Sequence, residues 1–173
     1  WSFNRTWSRF GICSICLYNF LKMSFLKKEL IKQGLIYKDI LHDISVKKVA
    51  DFYKKSPFPN YKNNDNKDTI LKKGDKNFLT SNFKKFIGYN KNVLEVGCGT
   101  GQLALYFSIG TNNNVVGLDA TIESLELANN FAKKNDIGNI NFVNADIFDD
   151  VLKDNCFDFI WCNGVLHHTK DPY

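Results

Sequence analysis

Short apolar runs alternate with longer amphipathic stretches along the second half of the chain. The apolar runs cover residues 92–96, 115–118, 140–143 and 157–162, and each predicts a strand. The stretches between them predict helices over residues 102–108 and 122–134. Because the strands are nearly continuously apolar and are separated by helices, the pattern predicts an α/β fold with a parallel sheet.

The first half of the chain has a different pattern, in which helices dominate. Helices are predicted over residues 7–33, with Gly34 as the stop, over residues 46–54 and over residues 78–87. Two prolines predict an extended segment over residues 56–61, and the polar residues 62–76 predict a mobile surface loop. We therefore divide the chain into an α-helical extension or cap over residues 1–77 and an α/β domain over residues 78–173.

Composition narrows the class of protein. With 173 residues, 44% of them hydrophobic, the chain has enough apolar material for one core. The net charge of +5 is spread among interleaved acidic residues, so the sequence does not favour a nucleic-acid partner. The chain begins with Trp1 in place of Met and ends at Tyr173 directly after a turn signal, so we expect a fragment of a longer protein.

The cysteines and the longest apolar run bear on the cellular compartment of the protein and on its relation to membranes. Five cysteines, an odd number with no signal peptide before them, predict reduced thiols and a cytoplasmic protein. Cys13 and Cys16 have the spacing of half a zinc site, but no second pair follows, so no metal is predicted. Residues 10–21 fall short of the roughly 20 residues that span a bilayer. Their flanking cations leave a membrane-surface helix open as the alternative to a packed cap.

A glycine-rich turn follows the first strand of the α/β region, in the sequence Glu95-Val96-Gly97-Cys98-Gly99-Thr100-Gly101. Three glycines in five residues allow the backbone to approach a ligand closely and present amides at a helix N-terminus. The dinucleotide fingerprint Gly-x-Gly-x-x-Gly is not met, because position 102 is Gln. Glu95 would repel a pyrophosphate but suits a cationic amino group. The predicted ligand is therefore an amino acid linked to a nucleoside.

This turn resembles motif I of the class I S-adenosylmethionine-dependent methyltransferases, and further motifs follow in the family's order. Asp119 ends the second strand, where a carboxylate can accept hydrogen bonds from both ribose hydroxyls. Asn144-Ala145-Asp146-Ile147 resembles the motif whose carboxylate binds the adenine amino group, with the next residue against the ring. The segment from Phe157 to His168 resembles motif IV, where the fourth strand opens into the catalytic crevice.

The resemblance implies a fold, a cofactor and a set of site residues. The fold is a Rossmann-like three-layer α/β/α sheet of order 3-2-1-4-5-7-6, of which this chain is expected to supply strands 3-2-1-4 and to lack the C-terminal ones. The cofactor is S-adenosyl-L-methionine. Its implied binding residues are Glu95, Gly97, Cys98, Gly99, Gly101, Asp119, Ala120, Asp146, Ile147 and Asn163. His168 is the candidate for proton removal or substrate positioning, ahead of His167.

The methyl acceptor is the least specified part of the prediction. Family members that methylate base amines or glutamine amides carry Asn/Asp-Pro-Pro-aromatic after strand four, whereas this chain has Asn163-Gly164-Val165-Leu166. A small-molecule acceptor is therefore predicted, and the Leu-His-His segment resembles the quinone- and lipid-type groups. A protein or RNA acceptor, an NAD-dependent oxidoreductase and a non-catalytic cofactor-binding protein stay open as alternatives. Phe58, Asn60 and Tyr61 are predicted to lie over the crevice and exclude water.

Overall fold

A computed structural model of the chain describes residues 25–27, 30–38 and 58–166. The described helices are α1 (Lys67–Lys76), α2 (Phe78–Ile87), α3 (Gln102–Ser108) and α4 (Ile122–Lys134). The described strands are β1 (Ile31–Gln33), β2 (Ile36–Lys38), β3 (Asn92–Val96), β4 (Asn114–Asp119), β5 (Ile140–Asn144) and β6 (Phe159–Cys162). The chain forms two compact units, a smaller one of residues 1–29 and 150–156 and a larger one of residues 30–149 and 157–173.

All six strands form one mixed sheet in the order β1-β2-β5-β4-β3-β6. Only β1 runs antiparallel to its neighbour, and every other pair is parallel. The four predicted strands are confirmed with ends shifted by one or two residues, and their order β5-β4-β3-β6 is the 3-2-1-4 arrangement that the resemblance implies. The register pairs Val96 with both Leu118 and Cys162, and Asp119 with Asn144. The carboxyl ends of these four strands therefore meet at one edge of the sheet.

One core cluster joins the four helices to alternate side chains of the strands. Its fully buried strand members include Val93, Val115, Ile140 and Phe142. Their neighbours Leu94 and Val116, which point to the opposite face, are buried as well. Burial of both faces explains why the strands are nearly continuous apolar runs in the sequence.

The predicted helix over residues 7–33 is wrong at its C-terminal end, and residues 1–24 lie outside the described part of the chain. In the structure β1 and β2 form a hairpin in which Gln33 pairs with Ile36 around a two-residue turn. Gly34 has a φ of 66° and begins this turn, as tight hairpins require. Parallel pairing of β2 with β5 then extends the sheet and buries Ile36. The glycine that was interpreted as a helix stop is therefore a hairpin turn residue.

The predicted loop over residues 62–76 is also wrong, because its last ten residues form α1. Asn66 begins the helix with a reciprocal capping box, in which its side chain accepts from the Thr69 N–H at 3.0 Å and the Thr69 hydroxyl accepts from the Asn66 N–H at 2.8 Å. Ile70 is the buried side chain of this helix. Gly74 lies against the Tyr106 ring, because a Cβ at this position would come within 2.2 Å of it. This otherwise polar helix is thus docked by Ile70, by the partly buried Leu71, by the contact of Gly74 and by a hydrogen bond from the Tyr106 hydroxyl to Asp75 at 2.7 Å.

The predicted division of the chain at residue 77 stays a prediction. Both β2 and α1 precede that residue and belong to the larger unit, β2 by pairing with β5 and α1 by packing on α3. The predicted helix over residues 46–54 and the cysteine pair Cys13 and Cys16 fall outside the described residues.

The smaller unit is described at residues 25–27 and 150–156. Leu26 and Leu152 form an antiparallel bridge, supported by a hydrogen bond from the Lys27 N–H to the Val151 carbonyl at 2.9 Å. The Lys27 ammonium forms ion pairs with Asp150 and, at 3.3 Å, with Asp154. Across all described residues, none of the helices has the length and apolarity to cross a membrane.

Candidate functional site

The glycine-rich turn lies at the carboxyl end of β3, where it leads into α3. Gly97, Gly99 and Gly101 all have a positive φ, of 68°, 52° and 71°. L-residues other than glycine rarely adopt this conformation, so the three glycines allow the sharp return of the chain into the helix. The turn thus has the local geometry that the sequence predicts.

The amides of this turn are used within the protein, which differs from the expectation that they face a ligand. The N–H groups of Gly97 and Cys98 both donate to the Leu118 carbonyl, at 2.8 and 3.0 Å. The Gly101 N–H donates to the Cys98 carbonyl at 2.8 Å, and the Gly99 N–H donates to the Asp119 carboxylate at 2.8 Å. Three of these bonds fasten the turn to the neighbouring strand β4, and the bond from Gly101 to Cys98 closes the turn on itself. The side chains around the turn are therefore left to carry the recognition chemistry.

The space that a Cβ would fill at two of the glycines is taken by the chain itself. A Cβ on Gly97 would lie 2.2 Å from a methyl group of Val165, and a Cβ on Gly99 would lie 2.5 Å from the Phe58 carbonyl oxygen. The glycines are therefore needed for packing within this protein, in addition to any close approach of a ligand.

Glu95 is a buried carboxyl group directly before the turn. Burial raises its pKa to about 8, a hydrogen bond from the Ala104 N–H partly offsets that rise, and the nearby Asp119 carboxylate adds to it. Its Oε2 atom has no hydrogen-bond partner among the described residues. A buried carboxyl oxygen without a partner is costly, and it is rare in folded proteins outside functional sites.

Asp119 lies at the carboxyl end of β4, next to the glycine turn. Its two carboxylate oxygens each accept one backbone N–H, from Gly99 and from Thr121, both at 2.8 Å. Burial raises the pKa of this carboxyl group, and these two hydrogen bonds oppose the rise. Each carboxylate oxygen can accept a second hydrogen bond, so the group keeps acceptor capacity for a ligand.

The other predicted cofactor residues are placed as follows. Asp146 follows β5 and accepts from the Phe148 N–H at 3.0 Å. Ile147, the next residue, is half-buried, and so is Ala120, which follows β4. The Cys98 thiol points into the core, since a Cβ on Gly117 would come within 2.8 Å of its sulfur, and burial raises its pKa. Of the Cys98 groups, only the backbone therefore belongs to the surface of the turn.

Segment 58–61 lies directly on the glycine turn. The Tyr61 hydroxyl donates to the Thr100 carbonyl at 2.7 Å, and the Thr100 hydroxyl donates to the Pro59 carbonyl. The Gln102 amide nitrogen donates to the carbonyls of Pro59 and Asn60, both at 3.2 Å. Sequence reasoning placed the segment near the crevice but missed Thr100 and Gln102 as its partners, because nothing in the local pattern pairs residues 41 positions apart.

A half-open cavity of about 400 Å³ lies between α1, α2, α3 and the end of β6. Asn163 and Trp161 line it on the β6 side, and Phe58 and Pro59 line it on the side of segment 58–61. Lys73 and Gln102 contribute polar groups to the same cavity. The exposed Asn163 is thus placed at this cavity, whereas His167 and His168 lie outside the described residues.

The fold and the site together define a Rossmann-like α/β domain with a glycine turn and acidic side chains at the carboxyl ends of neighbouring strands. A family model described as a methyltransferase domain matches residues 87–173, which is half of the chain. The chain belongs to this methyltransferase domain family.

Curated relatives match just under half of the chain. The uncharacterized methyltransferase YcgJ of Bacillus subtilis is 35% identical over 79 residues, covering 46% of this chain and 31% of that protein. Its crystal structure matches with a TM-score of 0.44 and 30% identity over 53% of this chain and 39% of that one. A ubiquinone biosynthesis O-methyltransferase of Actinobacillus pleuropneumoniae is 35% identical over 89 residues, covering 49% of this chain and 37% of that protein.

A further relative is the release factor glutamine methyltransferase of Aliivibrio fischeri, which is 32% identical over 84 residues, covering 48% of this chain and 30% of that protein. The chain therefore spans about a third of the length of the curated relatives it matches.

Proposed function

We propose that this chain carries the cofactor-binding part of an S-adenosylmethionine-dependent methyltransferase that acts on a small molecule. The observation that carries the proposal is the buried Glu95 carboxyl group, whose Oε2 has no partner among the described residues. An ammonium group of a bound ligand would supply the missing donor and the compensating positive charge. The amino group of the cofactor's methionine part has this chemistry, whereas a dinucleotide pyrophosphate carries negative charge and would compensate none on Glu95.

The residues around the turn fit the rest of the cofactor in the same way. Asp119 keeps acceptor capacity for the two ribose hydroxyls, and Asp146 and Ile147 follow the neighbouring strand, at the position proposed for the adenine. When bound, the cofactor supplies a methyl group on a sulfonium, so the protein needs to position donor and acceptor and, where required, remove a proton. His168 is the residue proposed for the proton.

The cavity of about 400 Å³ supports a small acceptor. Its volume lies within the roughly 300–1,000 Å³ range of small-molecule sites. Apolar walls from Phe58 and Trp161, with Asn163 and Gln102 at polar positions, suit a compact molecule that has an apolar body and a few hydrogen-bonding groups. The proposed acceptor site is therefore this cavity, at the end of β6.

Calorimetry with S-adenosylhomocysteine tests the cofactor assignment, because the dependence of the binding heat on the buffer reports how many protons are released on binding. Below pH 8 the free protein holds Glu95 protonated, and the ligand's α-amino group is mostly charged. Pairing the two as carboxylate and ammonium should release about one proton per ligand bound. Well above pH 8, where Glu95 is already ionised and the free amino group is largely neutral, the release should give way to proton uptake. The measurement compares the apparent binding enthalpy at pH 7 in buffers with different ionisation enthalpies.

The matched variant for this experiment is Glu95→Gln, which keeps the shape of the side chain and removes its titration. We expect the variant to bind more weakly and to release no proton. Equal proton release by the variant and the parent protein would contradict the role given to Glu95. Binding of NAD in preference to S-adenosylhomocysteine would instead favour the oxidoreductase alternative.

Asp119→Asn tests the ribose contact. The variant keeps the steric shape but loses the charge, and its amide nitrogen would face the N–H of Gly99 or Thr121 in place of an accepting oxygen. We therefore expect cofactor affinity to fall by roughly 1–3 kcal/mol or more. Asp68→Asn, on the exposed first turn of α1, is the control for the change in net charge. Affinity unchanged in Asp119→Asn would refute the proposed diol contact.

The acceptor class is tested by following a labelled methyl group in an extract. We expect label in dialysable compounds, whereas label in protein or RNA would favour a macromolecular acceptor. Binding of cofactor with no transfer to any fraction would favour the non-catalytic alternative.

A further inference from the structure

The three glycines make the backbone of the turn costly to order. Thr100 is flanked by Gly99 and Gly101, both with positive φ, and glycine loses more conformational freedom on ordering than any other residue. Strand β4 holds the start of the turn, through the Leu118 carbonyl and through the bond of Asp119 to the Gly99 N–H. When a ligand binds to the turn, any part of the turn that is not already restrained must be ordered, and this ordering costs binding free energy.

Segment 58–61 supplies this restraint from the other side of the turn. Thr100 is completely buried, and both its carbonyl and its hydroxyl bond to the segment, through Tyr61 and Pro59 respectively. The Tyr61 ring stacks on Phe131 of α4, with centroids 4.6 Å apart and planes inclined by 15°. Tyr61 is therefore anchored on a helix of the domain, so its hydroxyl can fix the position of Thr100.

The Tyr61 hydroxyl is well suited to act as a permanent donor. Burial, together with the nearby Cys98, Asp65 and Glu95, raises the pKa of the Tyr61 hydroxyl, so it stays protonated over the whole physiological range. Its bond to Thr100 does not depend on pH in this range.

Gln102, at the start of α3, adds further hydrogen bonds between segment 58–61 and the glycine turn. Its amide nitrogen donates to two successive carbonyls of the segment, those of Pro59 and Asn60. Its Oε1 accepts from the Lys73 ammonium at 3.4 Å, and Lys73 in turn pairs with the buried Asp65 carboxylate at 2.9 Å. The residue whose identity excludes a dinucleotide fingerprint thus has a structural task that glycine could not perform.

We propose that Tyr61 and Gln102 are positioning residues for cofactor binding, which hold the glycine turn in its binding conformation through segment 58–61. Neither residue needs to touch the cofactor. Tyr61 fixes the position of the Thr100 backbone, which in turn fixes the neighbouring Gly99. The Gly99 N–H then holds the Asp119 carboxylate that is proposed to bind the ribose. This inference rests on the proposed cofactor site.

Tyr61→Phe removes the hydroxyl and keeps the ring on Phe131. We expect the affinity for S-adenosylhomocysteine to fall roughly three- to tenfold, as the loss of one positioning hydrogen bond allows. Amide hydrogen exchange without ligand should become faster at Gly99, Thr100 and Gly101 and stay unchanged in β4 and β5. Tyr89→Phe, on an exposed tyrosine, is the matched control and should change neither measurement.

Gln102→Ala provides a second variant, because alanine favours the first turn of a helix. This variant should accelerate hydrogen exchange at the same amides. In the double variant, the fold-loss in affinity should be smaller than the product of the two single fold-losses, because both residues hold the same segment. If amide exchange at the turn is unchanged in both variants, the positioning role is overturned, whether or not the parent protein binds S-adenosylhomocysteine. If the parent protein does not bind S-adenosylhomocysteine, it is the proposed function that is refuted. Unchanged affinity in Tyr61→Phe, with the parent protein binding normally, would also overturn it.

Discussion

Glu95→Gln is expected to stabilise the free protein at pH 8 and to remove most of the pH dependence of its unfolding free energy between pH 4.5 and 8. The native state holds the Glu95 proton up to a pKa of about 8, whereas the unfolded chain releases it near the ordinary glutamate pKa of 4.5. Between these values the native state binds more protons than the unfolded state, so stability falls as the pH rises.

The size of this effect follows from the two pKa values. A difference of one pKa unit corresponds to about 1.4 kcal/mol, so the complete loss approaches 4–5 kcal/mol at and above pH 8. Glutamine is neutral at every pH and has nearly the same shape, so it keeps the packing and removes this penalty. Asp119, whose pKa is also raised, should leave a slope of the same sign in the variant at pH values above 3.8.

Denaturant unfolding at a series of pH values measures this effect. Near pH 4.5 and below, the variant and the parent protein should have similar stability. Glu126→Gln, on an exposed position of α4, controls for the removal of one glutamate charge. A slope between pH 4.5 and 8 that is the same in Glu95→Gln and in the parent would show that the Glu95 carboxyl is already ionised in the native state.

Gly99→Ala should cost about 2–4 kcal/mol of stability and most of the cofactor affinity. Its φ of 52° strains any L-residue by about 1 kcal/mol, and the new Cβ would lie 2.5 Å from the Phe58 carbonyl oxygen. That oxygen belongs to the backbone, so it can move only if segment 58–61 shifts from the turn, a rearrangement comparable to overpacking a core.

Gly110→Ala separates the two contributions to this loss. Gly110 has a φ of 73° but has open space where its Cβ would be placed. This control should therefore show the conformational strain alone, about 1 kcal/mol, with cofactor affinity unchanged. Thermal or denaturant unfolding and calorimetry with S-adenosylhomocysteine give the two readouts. Equal losses in the two variants would mean that the contact with Phe58 does not matter.

The sequence by itself determined the four parallel strands and the helices α2, α3 and α4, while the order of the strands followed only from the resemblance to the methyltransferase family. These elements depend on local patterns, since a strand buried on both faces must be apolar throughout and an amphipathic helix must repeat its apolar positions along one face. The glycine turn was predictable for the same reason, because positive φ at Gly97, Gly99 and Gly101 restricts which residues can occupy those positions.

Only the tertiary structure decided the hairpin β1–β2 and the helix α1. Gly34 serves equally well as a helix stop or as a hairpin turn, and it is the open edge of β5 that pairs with β2 and selects the hairpin. The sequence of α1 is polar enough for a loop, and its docking depends on Ile70 and on the contact of Gly74 with Tyr106. The contacts of segment 58–61 with Thr100 and Gln102 join residues about forty positions apart, and only the folded chain brings these hydrogen-bonding groups together.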